Sequence, residues 1–333
     1  MTAPSQRVFM LGATGTIGQA TARALLRRGH EVVCFVRPRS GPGGRLDATA
    51  LAARLPGAEL RFGDATNPVS QRRDGWRGER FDALVSCLAS RTGAPRDAWA
   101  IDHAAHADAL SAARDAGVSQ VVLLSALCVQ KPRLAFQQAK LAFERELMAS
   151  PLAWSIVRPT AFFKSLSGQV ERLRRGRPFL LFGDGRLTAS KPISDDDLAD
   201  YLADCLQRSD RQRQVLPIGG PGPALTPREQ GELLFAALGL APRFKQVPVA
   251  LMDTIVATLC LLGRAWPAAA AKAELARIGR YYATESMLVL DPLTGRYEDR
   301  LTPSTGRQTL ADFYAALASG EAALPERGDH AVF

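Results

Sequence analysis

The sequence predicts an α/β fold with a doubly wound parallel sheet, joined to a smaller C-terminal α/β region. Three observations carry this. A glycine-spaced turn lies between an apolar run and a helical run near the N-terminus, strand and helix patterns then alternate as far as residue 157, and the alternation breaks at Arg158-Pro159-Thr160. The domain boundaries that follow are residues 1–158 and a mainly helical 159–333, the second interleaved with the first.

Residues 8–11, Val-Phe-Met-Leu, suit a buried parallel strand, and from Ile17 the apolar positions Ala20, Ala24 and Leu25 recur at helical spacing. Gly12, Gly15 and Gly18 separate the two. Gly12 permits the tight turn, Gly15 lets backbone N–H groups approach a pyrophosphate, and Gly18 lets helix and strand pack closely. The helix N-terminus adds partial positive charge. With a second strand expected at 31–36, this is a Rossmann-like dinucleotide turn, and Gly12, Thr14, Gly15, Thr16 and Ile17 are its cofactor-binding residues. No Gly-Lys-Ser/Thr follows, which excludes a Walker-type phosphate loop. An acid closing the second strand would bond a ribose 2′-hydroxyl, whereas a cation there accommodates a 2′-phosphate. The residue is Arg37, with Arg39 close behind, and guanidinium grips phosphate through paired donors, so the cofactor is read as NADPH. A solvated arginine is the competing reading, and at Arg39 the two stand level.

The chain is 333 residues long and 47% hydrophobic, enough for one large α/β domain with a smaller region appended. Its net charge of +9 is spread along the chain, without interleaved aromatic residues, which argues against a nucleic-acid partner and suits an anionic cofactor with a carboxylate substrate. The five cysteines at 34, 87, 128, 205 and 260 form no Cys-x-x-Cys pair and read as free thiols. Only six residues precede the first strand, so no targeting peptide is expected and the location is read as cytoplasmic.

A turn-rich loop is expected at 38–44, a short helix at 48–55 and a third strand at 58–62. Asp64, with Ala65 beside it, then stands where an acid can meet the adenine amino group, an Asx turn being the alternative. A fourth strand at 81–88 runs into a loop at the carboxyl end of the sheet, where ligands bind in open α/β folds, and brings Leu88 to the cofactor. One amphipathic helix is expected over 97–117. It bears His103 and His106, which lack a third metal ligand and read as hydrogen-bonded histidines beside the sheet. A fifth strand ends at Ser125, a further cofactor contact, and a helix at 133–150 and a sixth strand at 153–157 follow. Beyond lie an expected hairpin over 179–191 turning at Gly183-Asp184-Gly185, a helix at 194–206, a strand at 214–218 and several helices. The apolar stretch 255–262 is bracketed by Asp253 and Arg264 too closely for a membrane span. It reads first as a buried helix, and second as one facing lipid or substrate.

Through its glycine turn the chain resembles the short-chain dehydrogenase/reductases, in which the helix after the fifth strand carries Tyr-x-x-x-Lys. Here the segment is Phe136-Gln137-Gln138-Ala139-Lys140, and the spacing puts 136 and 140 on one helix face. The resemblance implies that Lys140 is the catalytic lysine and binds the nicotinamide ribose hydroxyls. Phe136 cannot donate a proton, and general acids typically contribute about 10²–10⁴-fold to carbonyl reduction, so alcohol and sugar oxidoreduction and epimerisation are disfavoured. A reaction that spreads charge into a conjugated framework needs no phenol at that position.

Several further segments resemble the divinyl chlorophyllide a 8-vinyl reductase family in its bacterial, NADPH-dependent form. They are Ser86-Cys87-Leu88-Ala89-Ser90-Arg91-Thr92-Gly93, Ala98-Trp99-Ala100-Ile101-Asp102-His103, Phe136-x-x-x-Lys140, Lys191-Pro192-Ile193-Ser194 and the distinctive 277–287 block containing Tyr281-Tyr282-Ala283-Thr284-Glu285-Ser286-Met287. The resemblance spans nearly the whole chain. It implies reduction of the 8-vinyl group of a magnesium chlorin, divinyl chlorophyllide a or its protochlorophyllide relative, to ethyl in chlorophyll or bacteriochlorophyll synthesis. It also implies contact with photosynthetic membranes at their periphery at most, and a magnesium that belongs to the substrate, with no protein metal site. A flat macrocycle needs a wide apolar cleft. Phe136, Phe162, Phe163, Tyr281 and Tyr282 are candidates for its walls, with core packing as the alternative. Glu285 is a candidate contact, helix cap or proton donor, while the Arg172, Arg174, Arg175, Arg177 run reads as a solvated face rather than a propionate site. Two other functions remain open at this point: reduction of another conjugated substrate of quinone or flavonoid type, and NADP(H) sensing without turnover.

Overall fold

The computed structural model describes residues 4–39 and 47–324, so most of the loop expected at 38–44 lies outside the described residues. The chain forms two compact units. The first comprises the described residues up to Arg91, Pro95–Pro159 and Asp195–Leu216, and the second comprises Thr92–Ala94, Thr160–Ser194 and the described residues from Pro217.

Apolar runs of four to seven residues build the sheet of the first unit: β1 (Arg7–Leu11), β2 (Glu31–Val36), β3 (Glu59–Phe62), β4 (Ala83–Ser86), β5 (Gln120–Leu124) and β6 (Ala153–Pro159). β1 to β6 pair in parallel, and with β8 (Gln214–Ile218), which follows β7 (Phe179–Phe182) in the chain, the order is β3-β2-β1-β4-β5-β6-β8. The registers matter for function. Leu11 pairs with both Phe35 and Ser86, and Val36 with Phe62, so the residues following β1, β2, β3 and β4 emerge side by side along one edge.

Phe9 anchors the core of this unit. Its ring stacks on Trp76 at 3.8 Å between centroids and meets Phe81 edge-on at 5.3 Å. Trp76 ends a π-helical turn, Gln71–Trp76, that sequence periodicity does not reveal. The helix expected over 97–117 is also interrupted, with a π-helical turn at Trp99–Ala104 between Pro95–Ala98 and Ala105–Asp115. Asp102 and His106 are buried there, whereas His103 is partly exposed. The Asp195–Asp204 helix belongs to this unit too, where Arg28 pairs with Asp200 and Asp204, each at 2.8 Å.

In the second unit the hairpin expected over 179–191 does not form. β7 instead pairs in parallel with β9 (Phe244–Val247). The turn at Gly183 and Gly185 is present with both residues at positive φ, but Ser190 then bridges to Leu225 and Met287 instead of returning along β7. Packing explains the choice, since Phe244 completes an aromatic cluster with Phe179 and Phe235 at 6.0 and 5.5 Å, which an adjacent antiparallel strand would not supply. This cluster joins Leu173, Leu234, Leu310, Tyr314 and Leu317 in the unit's core. A short antiparallel pair, β10 (Val289–Leu290) and β11 (Tyr297–Glu298), follows.

The expectation of a buried helix at 255–262 is overturned. The Val249–Leu262 helix buries only Met252, while Leu251, Ile255, Leu261 and Leu262 are 49%, 40%, 64% and 38% exposed. The Pro267–Thr284 helix covers one side of it, with Gly263 in close approach to Ala270, and the helix carries more apolar surface than one neighbour can cover. Among the described residues no helix is long and apolar enough to cross a membrane.

Candidate cofactor and active site

The turn after β1 has the form a pyrophosphate site requires. Gly12 sits at φ +78, and a Cβ there would lie 2.4 Å from the Cys87 carbonyl carbon and the Leu88 nitrogen; one on Gly18 would lie 2.0 Å from the Gly12 oxygen. Both glycines are therefore demanded by the protein's own packing. Gly15 is different: it is exposed, has φ −76, and a Cβ on it would meet only the Gly12 oxygen, at 3.6 Å. The space above it is where a ligand backbone would approach. Gly15 is also the N-cap of the Thr16–Arg27 helix, with no side-chain cap and no acidic residue in the first turn, so the partial positive charge of that helix end suits an anion. The loop is held by Gly15 N–H donating to the Gly12 oxygen at 3.2 Å and by the Gln19 amide donating to the Thr14 oxygen at 3.0 Å.

Along the same edge, Arg37 and Arg39 are exposed beyond β2, and neither forms an ion pair or side-chain hydrogen bond among the described residues. Asp64 follows β3. Its Oδ1 accepts from the Thr66 N–H and hydroxyl at 2.8 and 2.7 Å, which is the Asx-turn arrangement. Ala65 and Leu88 are half-buried, and the Ser125 hydroxyl donates to Glu144 at 2.5 Å. Glu144 is also paired with Arg158.

The Ala135–Ala149 helix presents Phe136, Lys140 and Glu144 at successive four-residue steps. Phe136 is half-buried. The Lys140 ammonium lies 3.0 Å from Asp102, whose side chain is completely buried, and the same carboxylate accepts from the Ser90 hydroxyl at 2.5 Å and the Ser90 N–H at 3.2 Å. Asp102 and Ser90 received no role from the sequence. Both lie in segments that carry the family resemblance, but nothing in the spacing of either assigns it a role. The two histidines do not share a site. His103 meets Glu146 at 2.6 Å, whereas His106 donates from Nδ1 to the Ile101 oxygen at 2.8 Å and accepts at Nε2 from Ser86, also at 2.8 Å. Burial, reinforced by the Lys140 charge, pushes the His106 pKa down to about 4, so its imidazole is neutral.

Phe162, Phe163, Tyr281, Tyr282 and Glu285 all belong to the second unit. Phe163 is 3% exposed and its ring lies 5.2 Å from Phe313, so its surface is taken up by core packing. Phe162 is half-buried, Tyr281 is buried, and Tyr282 is 42% exposed. Glu285 is buried and accepts from the Tyr297 hydroxyl at 2.6 Å. In the arginine run, Arg172 and Arg174 donate to the Pro178 and Leu317 oxygens, while Arg175 and Arg177 are exposed.

Residues 12–209 match a protein-family model described as NAD(P)H-binding, so the chain carries an NAD(P)H-binding domain. Over 337 residues the chain is 50% identical to the chloroplastic divinyl chlorophyllide a 8-vinyl-reductase of Oryza sativa subsp. indica, covering 99% of this chain and 83% of that protein. The chain belongs to the divinyl chlorophyllide a 8-vinyl-reductase family. The chloroplastic member from Cucumis sativus is 48% identical over 98% of this chain and 79% of its own length. Among solved structures, the NADPH complex of the NADPH-dependent quinone oxidoreductase QOR2 from Escherichia coli aligns with a TM-score of 0.65, covering 93% of this chain and 99% of that one at 19% identity. That likeness is one of fold, and it places the chain among Rossmann-like proteins.

Two outcomes follow from this geometry. Gly15→Ala is expected to keep the melting temperature and weaken NAD(P)H binding tenfold or more, whereas Gly18→Ala is expected to lose about 1–3 kcal/mol of stability; melting curves and cofactor titrations separate the two. Because His106 has a folded pKa of about 4, below its ordinary 6.5, the unfolded chain binds the extra proton between these values. Its stabilisation is complete above about pH 6.5 and is lost as pH falls, by about 3 kcal/mol at pH 4. Denaturation of His106→Gln should accordingly depend less steeply on pH across this window than that of the wild type.

Proposed function

We propose that this protein reduces the 8-vinyl group of divinyl chlorophyllide a, or of its protochlorophyllide relative, to ethyl in chlorophyll or bacteriochlorophyll synthesis, with NADPH as reductant. The observation that carries the reading is near-half identity, over almost the whole chain, to relatives named for that reduction. Phe136 one turn before Lys140 agrees with it, since reduction of a vinyl group conjugated to a macrocycle spreads charge into the ring system and needs no phenol.

The first unit takes the cofactor and the second the pigment. Gly12, Thr14, Gly15, Thr16 and Ile17 hold the pyrophosphate at the helix end, Arg37 takes the 2′-phosphate, Asp64 and Ala65 face the adenine, and Leu88 and Ser125 flank the nicotinamide end. Lys140 binds the ribose hydroxyls. When bound there, NADPH would supply a hydride from its nicotinamide C4, and a proton would complete the ethyl group. Phe136 keeps the reacting edge apolar, and the half-buried Phe162 and exposed Tyr282 are the aromatic side chains best placed by their exposure to meet a flat ring. Glu285 is polarised by Tyr297 and serves as a polar anchor.

The Val249–Leu262 helix supports a peripheral contact with photosynthetic membranes, on their cytoplasmic face. Its uncovered Leu251, Ile255, Leu261 and Leu262 continue into Trp266, 60% exposed, and the exposed Arg243, Lys245, Arg264 and Lys272 flank it in the chain. An apolar helix with a tryptophan and a basic rim matches an anionic bilayer surface.

Anaerobic incubation with NADPH and divinyl chlorophyllide a should give a pigment heavier by two hydrogens, seen by chromatography and mass, that disappears with Lys140→Ala. Arg37→Ala should reduce the preference for NADPH over NADH by about ten- to hundredfold. NADPH binding without any pigment product would contradict the substrate reading. In flotation assays the protein should rise with anionic vesicles and not with zwitterionic ones, and the double variant Ile255→Glu with Leu261→Glu should stay at the bottom. Equal flotation of variant and wild type would refute the membrane contact.

A further inference from the structure

We propose that Lys191 is the positioning residue of the pigment site, holding Phe162 and the Glu285–Tyr297 pair at a fixed spacing. This rests on the pigment-reductase reading and deepens it, since Lys191 has no part in that reading.

Residues 189–193 are the run of the second unit to which the candidate pigment contacts attach. At one end Ile193 bridges to Phe162, with the Ile193 N–H donating to the Ala161 oxygen at 2.9 Å and the Phe163 N–H donating to the Ile193 oxygen at 3.2 Å. At the other end Ser190 bridges to Met287, and the segment directly after Glu285 is fastened there. The Met287 N–H donates to the Ala189 oxygen at 2.9 Å, and the Ser286 hydroxyl accepts from the Ala189 N–H at 3.0 Å. Lys191 stands between the two ends. Its carbonyl accepts from the Thr160 hydroxyl and, at 3.1 Å, from the Gly220 N–H. Its ammonium donates to the Thr302 oxygen at 3.0 Å and lies 2.9 Å from Asp299. Asp299 is two residues past Tyr297, the donor to Glu285. The Thr302 hydroxyl closes this segment on itself, donating to the Glu298 oxygen at 2.9 Å and accepting from the Val289 N–H at 2.8 Å. One side chain thus holds the Tyr297 segment against the run that carries Phe162.

The surrounding chain is shaped around this lysine. A Cβ on Gly219 would lie 2.5 Å from the Lys191 Cβ, and one on Gly220 would lie 1.9 Å from the Pro192 oxygen, so both glycines make room for the run and its long side chain. The Lys191 side chain is 10% exposed, and one Asp299 carboxylate oxygen, Oδ1, is buried with no other partner among the described residues. Burying such a pair gives up hydration that its attraction barely repays, and an apolar contact would hold the segments as firmly. What an apolar contact would not do is select one register, whereas an ammonium with two oxygen acceptors does. A flat, rigid ring cannot adapt its own shape, so the spacing of its contacts has to be set in the protein beforehand.

The test is steady-state turnover of divinyl chlorophyllide a at saturating NADPH, read beside NADPH affinity from fluorescence titration. Lys191→Met keeps the aliphatic stem and removes the ammonium. The pigment KM should rise about tenfold, with kcat within about threefold and NADPH affinity within about twofold of the wild type. Asp299→Ala should raise the KM about three- to fivefold, and by less than about twofold in the Lys191→Met background, because its effect passes through the lysine. Should Lys191→Met not fold, Asp299→Ala carries the test, since that side chain is 43% exposed. A wild-type pigment KM in Lys191→Met or in Asp299→Ala, or a loss of NADPH affinity as large as the rise in KM, would overturn the inference and leave the substrate reading standing. Absence of pigment turnover in the wild type would overturn both.

Discussion

Everything at the carboxyl edge of the sheet depends on one close approach, that of Gly18 to the Gly12 carbonyl, with Gly12 itself pressed against the Cys87–Leu88 backbone. There is no room for a methyl group at either contact. Because they are satisfied, the first helix begins directly over the end of β1, and the loops after β1 and β4 share one surface. The Phe9, Trp76 and Phe81 cluster secures the strand from beneath, and the Arg28 pairs hold the far end of the helix to the Asp195–Asp204 segment. The exposed Gly15 is the exception that gives the arrangement its meaning, since among the described residues a Cβ on it would meet only the Gly12 oxygen, at an ordinary contact distance.

The Ala135–Ala149 helix carries Lys140 with Phe136 one turn before it, where the short-chain family's pattern has a phenol. A carbonyl reductase must stabilise charge on an oxygen, and here the position for the donor is a half-buried phenylalanine. Lys140 is instead tied to Asp102, and its helix neighbour Glu144 is tied to Arg158 and Ser125, so this helix face is a rigid, polar support with an apolar tip. Such a face can orient a cofactor. It has no group at position 136 to protonate an alkoxide, which agrees with a substrate that takes charge into a conjugated ring.

The parallel sheet and its glycine turn were legible because period-two and period-3.6 patterns, with glycines at fixed offsets, are local signals. Lys140 was singled out through the resemblance of Phe136-x-x-x-Lys140 to the Tyr-x-x-x-Lys pattern, and its place on the Ala135–Ala149 helix, one turn after Phe136, agrees with the spacing. Asp102 was not, since an aspartate in an alanine-rich helix looks solvated until the π-helical turn brings it inward against Lys140 and Ser90. The hairpin expected over 179–191 failed for a related reason: the Gly-Asp-Gly turn was read correctly, but the partner strand, β9, lies more than 50 residues on and is chosen by aromatic packing. The apolar helix 249–262 misled because hydrophobicity reports what avoids water in general, not which neighbour covers it. Its uncovered side is information that only the three-dimensional structure holds.

The central claim is that this site delivers reducing equivalents to a carbon–carbon double bond of a pigment. The most direct measurement is turnover of divinyl chlorophyllide a with NADPH carrying deuterium at nicotinamide C4, in ordinary water, with the label located in the product by mass and magnetic resonance. The account predicts one deuterium in the new 8-ethyl group from one of the two C4 epimers of the label and none from the other. An 8-ethyl product without deuterium from either epimer would contradict it.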